Sequence, residues 1–427
     1  MINIASRART GSLSALVALT VLGAVACAPG EKAKEGGGAA QVPDKIVIGS
    51  TLPLTGAESK AGARYKQGYE LAVDQENKDG GVTIGGKKVP VELRLLDDTT
   101  DQAKAVNLAQ RLITQDQVNF FLGTYSTALV EAQSTVAEQN KIPYVNGGGA
   151  ATSIYNKGYK WIFGTLAPVE NLAATEMEWI NQQQGAGKLA KPAKIALVWE
   201  NTSHGKDFQK GVQDFVGKHS ADYQVVVDES FALDGKDFSA VLNKVRGARA
   251  DLFMVDAHLP DFLTMHRQYL SAKMCNQVVT YGARGSEADA RAALGQDGVS
   301  YILSAVWWNG QLGNKGLNKE FVDAFKAKYG AEPEWYQATG YEAGRALLTA
   351  IAKAGSVDKQ KVRDTLSKLQ IDSILPGGKL SFPAEKGGQA TYPFVVQQNQ
   401  PDGSSPIIYP ADVATGKGVA PNPNCKA

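Results

Sequence analysis

Residues 118–153 read VNFFLGTYSTALVEAQSTVAEQNKIPYVNGGGAATS, and this stretch decides the fold class. Val118 to Leu122 is an apolar run too short for a helix and closed by Gly123, which suits a buried strand. Thr124, Tyr125, Ser126 and Thr127 follow, directly before a helical pattern that places Ala128, Ala132, Val136 and Ala137 on one face, with Ser126 or Thr127 as the N-cap. A second strand, Ile142 to Val145, runs into Gly147, Gly148, Gly149, Ala150 and Ala151. Strand, hydroxyl turn, helix, strand and glycine turn put two loops at the carboxyl ends of parallel strands, where open α/β sheets bind ligands. A helix N-terminus there offers unpaired N–H groups and a partial positive charge, suited to a carboxylate or other small anion. Each feature alone also has an ordinary structural use, the hydroxyls as a cap and the glycines as a turn.

Outward from this stretch, the chain alternates strands and helices almost without interruption, the grammar of doubly wound parallel sheets. Upstream lie the strand Ile46 to Ile48, the helix Tyr65 to Gln75, the strand Val89 to Leu96 and the helix Asp101 to Gln115. A second series runs through the strands Lys194 to Trp199, Gln224 to Val227, Asp251 to Val255 and Val278 to Tyr281, with helices between them. Two α/β lobes of similar build are therefore expected. Helices at Lys319 to Lys328 and Ala338 to Ala354 carry a core stripe of Phe321, Phe325, Leu347, Leu348 and Ile351. Short alternating segments at Lys379 to Phe382, Tyr392 to Gln397 and Ile407 to Tyr409 read as added strands, and Pro421 to Pro423 as a loose arm.

The N-terminus reads as a targeting segment. Arg7 and Arg9 precede an uncharged apolar run, Leu13 to Ala26, shorter than a comfortable membrane span. Residues 1–26 are thus expected to be a signal peptide, and its end at Ala24-Val25-Ala26-Cys27 resembles the lipobox of bacterial lipoproteins, with Ala24 where Leu is usual. That resemblance implies a lipidated Cys27, a Gly-, Ala-, Lys- and Glu-rich linker over 27–44, and a body anchored at an envelope membrane facing the periplasm or exterior. The alternative is an ordinary signal cleaved nearby. Losing Arg7 and Arg9 brings the formal charge from +2 to zero, so nothing recommends a nucleic-acid partner. Of three cysteines, Cys275 and Cys425 remain for the body, either as a disulfide or as two thiols.

The sequence has no G-x-x-x-x-G-K-[ST] phosphate loop, H-E-x-x-H helix, C-x-x-C pair or G-x-S-x-G elbow. His204, His219, His258 and His266 are too dispersed along the chain for a local metal site. Gly147 to Gly149 lacks the spacing of a dinucleotide fingerprint. The expectation is a binding protein, not an enzyme, with no cofactor and no metal.

KIVIGSTLPLTG at Lys45 to Gly56, Gly68 and Ala72 in a helix, and Gly80-Gly81 resemble the opening of type I periplasmic solute-binding proteins of the Leu/Ile/Val-binding class. LDDTTDQAKAV, GTYST, IPYVNGGGA, HGKDFQKGVQDF, KDFSAVLNKV and GYEAGRAL follow in that family's order, so the resemblance covers roughly Lys45 to Phe394. It implies the receptor of an ABC importer, two lobes joined by a three-strand hinge and closing over a ligand. By the resemblance the first lobe holds 45–165 and 309–374 and the second 166–308 and 375–427, which puts Cys275 and Cys425 in one lobe. Thr127 matches the hydroxyl that binds a ligand carboxylate, with Tyr125 and Ser126 beside it, and Gly148, Gly149 and Ala150 match the following turn. His204 and His258 stand where amino-acid binders have tyrosines, and Arg284 where they have a glutamate for the ammonium. Ala61 stands where a bulky aromatic can occur, implying a roomier pocket. The expected function is capture of a small carboxylate-bearing solute, of the branched-chain or another amino-acid class, for importer permeases. Aromatic or other organic acids or amides remain alternatives, as does a ligand-sensing subunit of a signalling system.

Overall fold

A computed structural model of the chain describes residues 42–313 and 316–425. Cys27 and the signal segment lie outside the described residues. Among the described residues, no helix is long and apolar enough to cross a membrane.

Two sheets organise the protein. The first has five parallel strands in the order Val91–Asp97, Ile46–Leu52, Phe120–Leu122, Tyr144–Asn146, Ile162–Gly164. The second has seven, in the order Ile407–Tyr409, Val395–Gln398, Ile302–Val306, Val278–Thr280, Leu252–Asp256, Ala193–Glu200, Tyr223–Phe231. Val395–Gln398 runs antiparallel to both of its neighbours, and the remaining pairings are parallel. Leaving Ile407–Tyr409 and Val395–Gln398 aside, each sheet follows the same winding: the first strand of its series sits between the second and the third, and the remainder follow outward. The order therefore reverses beside Ile46–Leu52 in one sheet and beside Ala193–Glu200 in the other, which are the positions where such sheets open a ligand crevice.

The central strands of both sheets are covered on both faces, which is why they read as apolar runs without alternation, while the edge strands Val91–Asp97 and Tyr223–Phe231 are only partly buried. Ile46–Leu52 is buried at every position. On one side of the first sheet, helices Ser59–Lys78 and Trp335–Ala354 pack together through Tyr65, Tyr69, Ala72, Ala343 and Leu347. On its other side, helices Gln102–Thr114 and Thr127–Gln139 contribute Ala109, Leu112, Val130 and Val136. Helix Thr127–Gln139 buries Leu129, Val130, Gln133, Ser134, Val136 and Ala137, whereas Ala128 and Ala132 are only partly buried. The expected apolar face is thus rotated: Gln133 goes inside because its amide bonds the Thr51 hydroxyl and its oxygen accepts from Tyr144 (3.0 Å).

Pro90 splits the strand expected over Val89 to Leu96 into a short hairpin strand, Lys87–Val89, and the sheet strand Val91–Asp97. The three tail strands form where expected. Lys379–Ser381 pairs with Gln370–Asp372, a hairpin that spans the Ile374/Leu375 boundary, and Gln389 still bridges Gly164 of the first sheet. The tail end is not loose. Asn422 donates to the Gln277 carbonyl (2.8 Å), and Cys425 is disulfide-bonded to Cys275 with their Cα atoms 5.3 Å apart.

Candidate functional site

The crevices of the two sheets face each other, and the loops leaving their central strands supply the site. From the first sheet, Ile46–Leu52 leads to Glu58 and Phe120–Leu122 to Tyr125, Ser126 and Thr127. From the second, Ala193–Glu200 leads to His204, Leu252–Asp256 to His258, and Val278–Thr280 to Arg284.

The hydroxyl turn divides its labour. Thr124 is structural: its hydroxyl donates to Asp98 Oδ2 (2.8 Å), as does that of Thr51 (2.9 Å), fixing the buried Asp98 below the turn. Burial, outweighing these hydrogen bonds, raises the Asp98 pKa. Ser126 is the N-cap of helix Thr127–Gln139, yet no side chain caps the helix. Thr127 is 3 % exposed and its Oγ1 has no hydrogen-bond partner. A buried hydroxyl without a partner carries a desolvation cost that a ligand oxygen would relieve.

The glycine turn is a close approach of backbone. A Cβ on Gly148 would lie 2.2 Å from the Thr124 carbonyl oxygen, and one on Gly147 would lie 2.7 Å from that of Thr339. Its polar groups are largely occupied: Gly149 N–H donates to Asn146 (3.1 Å), and Ala150 accepts from Gln389 (2.8 Å).

Arg284 crosses the crevice. Its Nη2 donates to the Tyr125 hydroxyl (2.7 Å) and its Nε to the Ala257 carbonyl (3.1 Å). The guanidinium lies over Trp335 (5.3 Å) and Tyr336 (5.4 Å), with Nη1 3.8 Å from Glu287 and without a hydrogen bond. Burial alone would lower the Arg284 pKa, but the surrounding phenols and carboxylates outweigh it and hold the charge in place. Tyr65 stacks on Tyr125 (5.5 Å), and Tyr336 meets Tyr125 edge-on (5.9 Å), so rings wall the crevice around the guanidinium. Ala61 is buried in the core cluster on the same helix as Tyr65.

His204 and His258 converge, with ring centroids 6.4 Å apart, because adjacent strands deliver them; His219 and His266 lie elsewhere. Separation along the chain was therefore a poor guide to separation in space. His204 Nδ1 is 2.8 Å from Asp256, and His258 Nδ1 is 3.0 Å from Glu58, a contact between the loops of the two sheets. Burial would lower both histidine pKa values. Asp256 and Glu200 reverse this for His204, while Glu200 and Glu58 push His258 up to about 9. Burial also opposes ionisation of Glu58, but His258 more than compensates and its pKa falls.

Glu58, Glu200 and Tyr336 were not singled out from sequence, and Asp256 and Glu287 only as alternative partners for Arg284, of which Glu287 is the one beside it. Glu200 and Asp256 end central strands of the second sheet, so the carboxyl-end rule applied to the first sheet would have found them there too. Beside this junction a cavity of about 610 Å³ opens, lined in part by Glu287, Arg291, Trp308, Asn309, Glu334 and Trp335.

The periplasmic binding protein family matches residues 45–404. Among curated relatives, a Leu/Ile/Val-binding protein homolog 8 of Brucella abortus is 27 % identical over 379 residues, covering 87 % of this chain and 92 % of the relative. The leucine-binding protein LivK of Thermotoga maritima superposes with a TM-score of 0.73 at 23 % identity, covering 85 % of this chain and 97 % of that one. A solute-binding protein of R. palustris in complex with benzoate gives 0.72 at 20 % identity, covering 90 % and 100 %. A two-lobed α/β protein with its polar crevice at facing switch points is built to enclose a small ligand. The chain belongs to the periplasmic binding protein family, whose members act outside the cytoplasm in the cell envelope.

Proposed function

We propose that this protein is the substrate-binding lipoprotein of an ABC importer and holds a small carboxylate-bearing solute between its lobes. One observation carries the ligand class: Thr127 Oγ1 and Arg284 Nη1 are both buried at the lobe junction and both lack a hydrogen-bond partner, Arg284 Nη1 having only the Glu287 carboxylate 3.8 Å away. Beside an uncapped helix N-terminus, a hydroxyl and a guanidinium offer a carboxylate charge-assisted hydrogen bonds. The curated relatives carry Leu/Ile/Val-binding names, which supports an amino-acid ligand. Ser126, Thr127 and Arg284 then receive the carboxylate, Tyr125 braces Arg284, and His204 and His258 border the far side. Gly148, Gly149 and Ala150 shape the floor. The lobes of this reading are 45–165 with 309–374 and 166–308 with 375–427. Lipidation at Cys27 and delivery of the ligand to permease subunits complete the reading.

A second reading, an aromatic acid as ligand, draws on the wall of Tyr65, Tyr125 and Tyr336 and on Arg284, which would repel an ammonium. The benzoate complex of a similar fold is in keeping with it. A thermal-shift screen of amino acids, benzoates, dicarboxylates and amides, followed by calorimetry, tests both. Thr127→Val should weaken the best ligand about 10- to 100-fold, and Arg284→Ala about a hundredfold or more. Unchanged affinity in both variants, or a best ligand without a carboxylate, overturns the carboxylate reading. Cys27→Ala should leave the protein unlipidated, and a natural protein that takes up no labelled lipid would remove the anchor.

A further inference from the structure

Capture of a carboxylate leaves the acidic groups behind His204 and His258 without a use. Glu200 and Asp256 end neighbouring parallel strands, and each is followed within a few residues by a histidine, His204 and His258 respectively. Donor atoms of Glu200, His204 and Asp256 all lie within 4.8 Å of one another. His204 Nδ1 is 2.8 Å from Asp256 Oδ2 and 3.9 Å from Glu200 Oε1, and His258 Nε2 is 3.6 Å from the same Glu200 oxygen. A tetrahedral ion with bonds of about 2.0–2.2 Å keeps its donors roughly 3.3–3.6 Å apart. The pairs at 2.8, 3.6 and 3.9 Å bracket that spacing; Glu200, His204 and Asp256 form the compact set, and His258 joins it through Glu200.

Two further observations point to an ion. Glu200 is fully buried; its Oε1, which faces both histidines, accepts from the Thr202 hydroxyl (2.7 Å), while its Oε2 has no hydrogen-bond partner and leaves the carboxylate with unused coordinating capacity. In addition, His258 turns Nδ1 to Glu58 (3.0 Å) and presents Nε2 to the cluster. That is the carboxylate–imidazole arrangement that orients metal-binding histidines.

We propose that Glu200, His204, Asp256 and His258 form a site for a divalent transition-metal ion of the zinc class, with Glu58 as the positioning residue that orients His258. Two imidazole nitrogens with two carboxylates suit Zn²⁺, whereas Mg²⁺ and Ca²⁺ call for an all-oxygen shell. Four of these residues belong to the second lobe and Glu58 to the first. Closing the lobes therefore completes the outer shell, and the ion binds the closed form more tightly than the open one. This goes beyond the solute reading and stands without it, because the ion is measured alone.

The test uses the full chain stripped with a chelator. Zn²⁺ is titrated by calorimetry, and Co²⁺ is followed by its visible absorption in the absence of any organic ligand. One ion per chain is expected, with the intense d–d bands of tetrahedral Co²⁺. Glu200→Gln and His204→Ala should each weaken Zn²⁺ about a hundredfold or more, and Glu58→Gln about 10- to 100-fold, while His219→Ala changes nothing. The proposal is overturned by absence of saturable uptake, or by uptake unchanged in a folded Glu200→Gln/His204→Ala double variant. If that variant does not fold, Glu58→Gln on the opposite lobe decides, and an unchanged Zn²⁺ affinity overturns the proposal.

Discussion

His266 shows how far a single residue can depart from its solution chemistry without joining the site. Its Nε2 donates to the Gly298 carbonyl (2.8 Å) and its Nδ1 accepts from the Tyr281 hydroxyl (3.2 Å), which satisfies the neutral ring completely. The rings of Phe262, Tyr269 and Tyr281 surround it. Burial, only partly offset by the Gly298 bond, lowers its pKa from 6.5 to about 4. Between those values the unfolded chain binds a proton that the folded chain refuses, so stability is full above pH 6.5 and falls as the pH drops toward 4. The loss is on the order of 3 kcal/mol. Urea melts from pH 7.5 to 4 should show that decline, and His266→Gln should flatten it. At this scale the sequence was half legible. Ser126 and Thr127 could be placed because a cap precedes its own helix, a local fact. Glu58 could not, because its partner His258 lies two hundred residues away and only the meeting of two sheets joins them.

Among the elements, the pairing of helices Ser59–Lys78 and Trp335–Ala354 depends on small residues that let the backbones touch. A Cβ on Gly68 would stand 2.5 Å from the Gln337 carbonyl oxygen and 2.9 Å from the Tyr341 amide, both backbone atoms that cannot turn aside. Although alanine is the better helix former, Gly68→Ala should destabilise the protein by about 1–3 kcal/mol, and a thermal melt measures it. Strands and helices with a clear period were legible, including the three short tail strands. Helix Ala288–Val299 was not, because Gly295 interrupts it at φ 74° and no apolar stripe runs its length. Strand Ile302–Val306 also escaped notice. It lies inside a sheet buried on both faces, and its apolar run flows into Trp307 and Trp308 without a boundary.

Across the whole molecule, the bond from Cys275 to Cys425 closes a loop with a sequence separation of 150. Cross-linking so long a loop removes about 4 to 5 kcal/mol of unfolded-state entropy in the chain-entropy account. Cys425→Ser should lower the melting temperature measurably in non-reducing buffer, and dithiothreitol should reproduce the change in the natural chain but not in the variant. The two-lobed plan was legible because strand and helix alternate twice in similar grammar.

The docked tail makes the protein a ruler for its own ligand. Val42 packs near the turn at Gly85 on the first lobe, while Cys425 is fastened to the second, so the two described ends ride on different bodies. Fluorophores fused at these ends should change their energy transfer when the true solute is added. With the tail fastening cut by Cys425→Ser, the same solute should produce a smaller change.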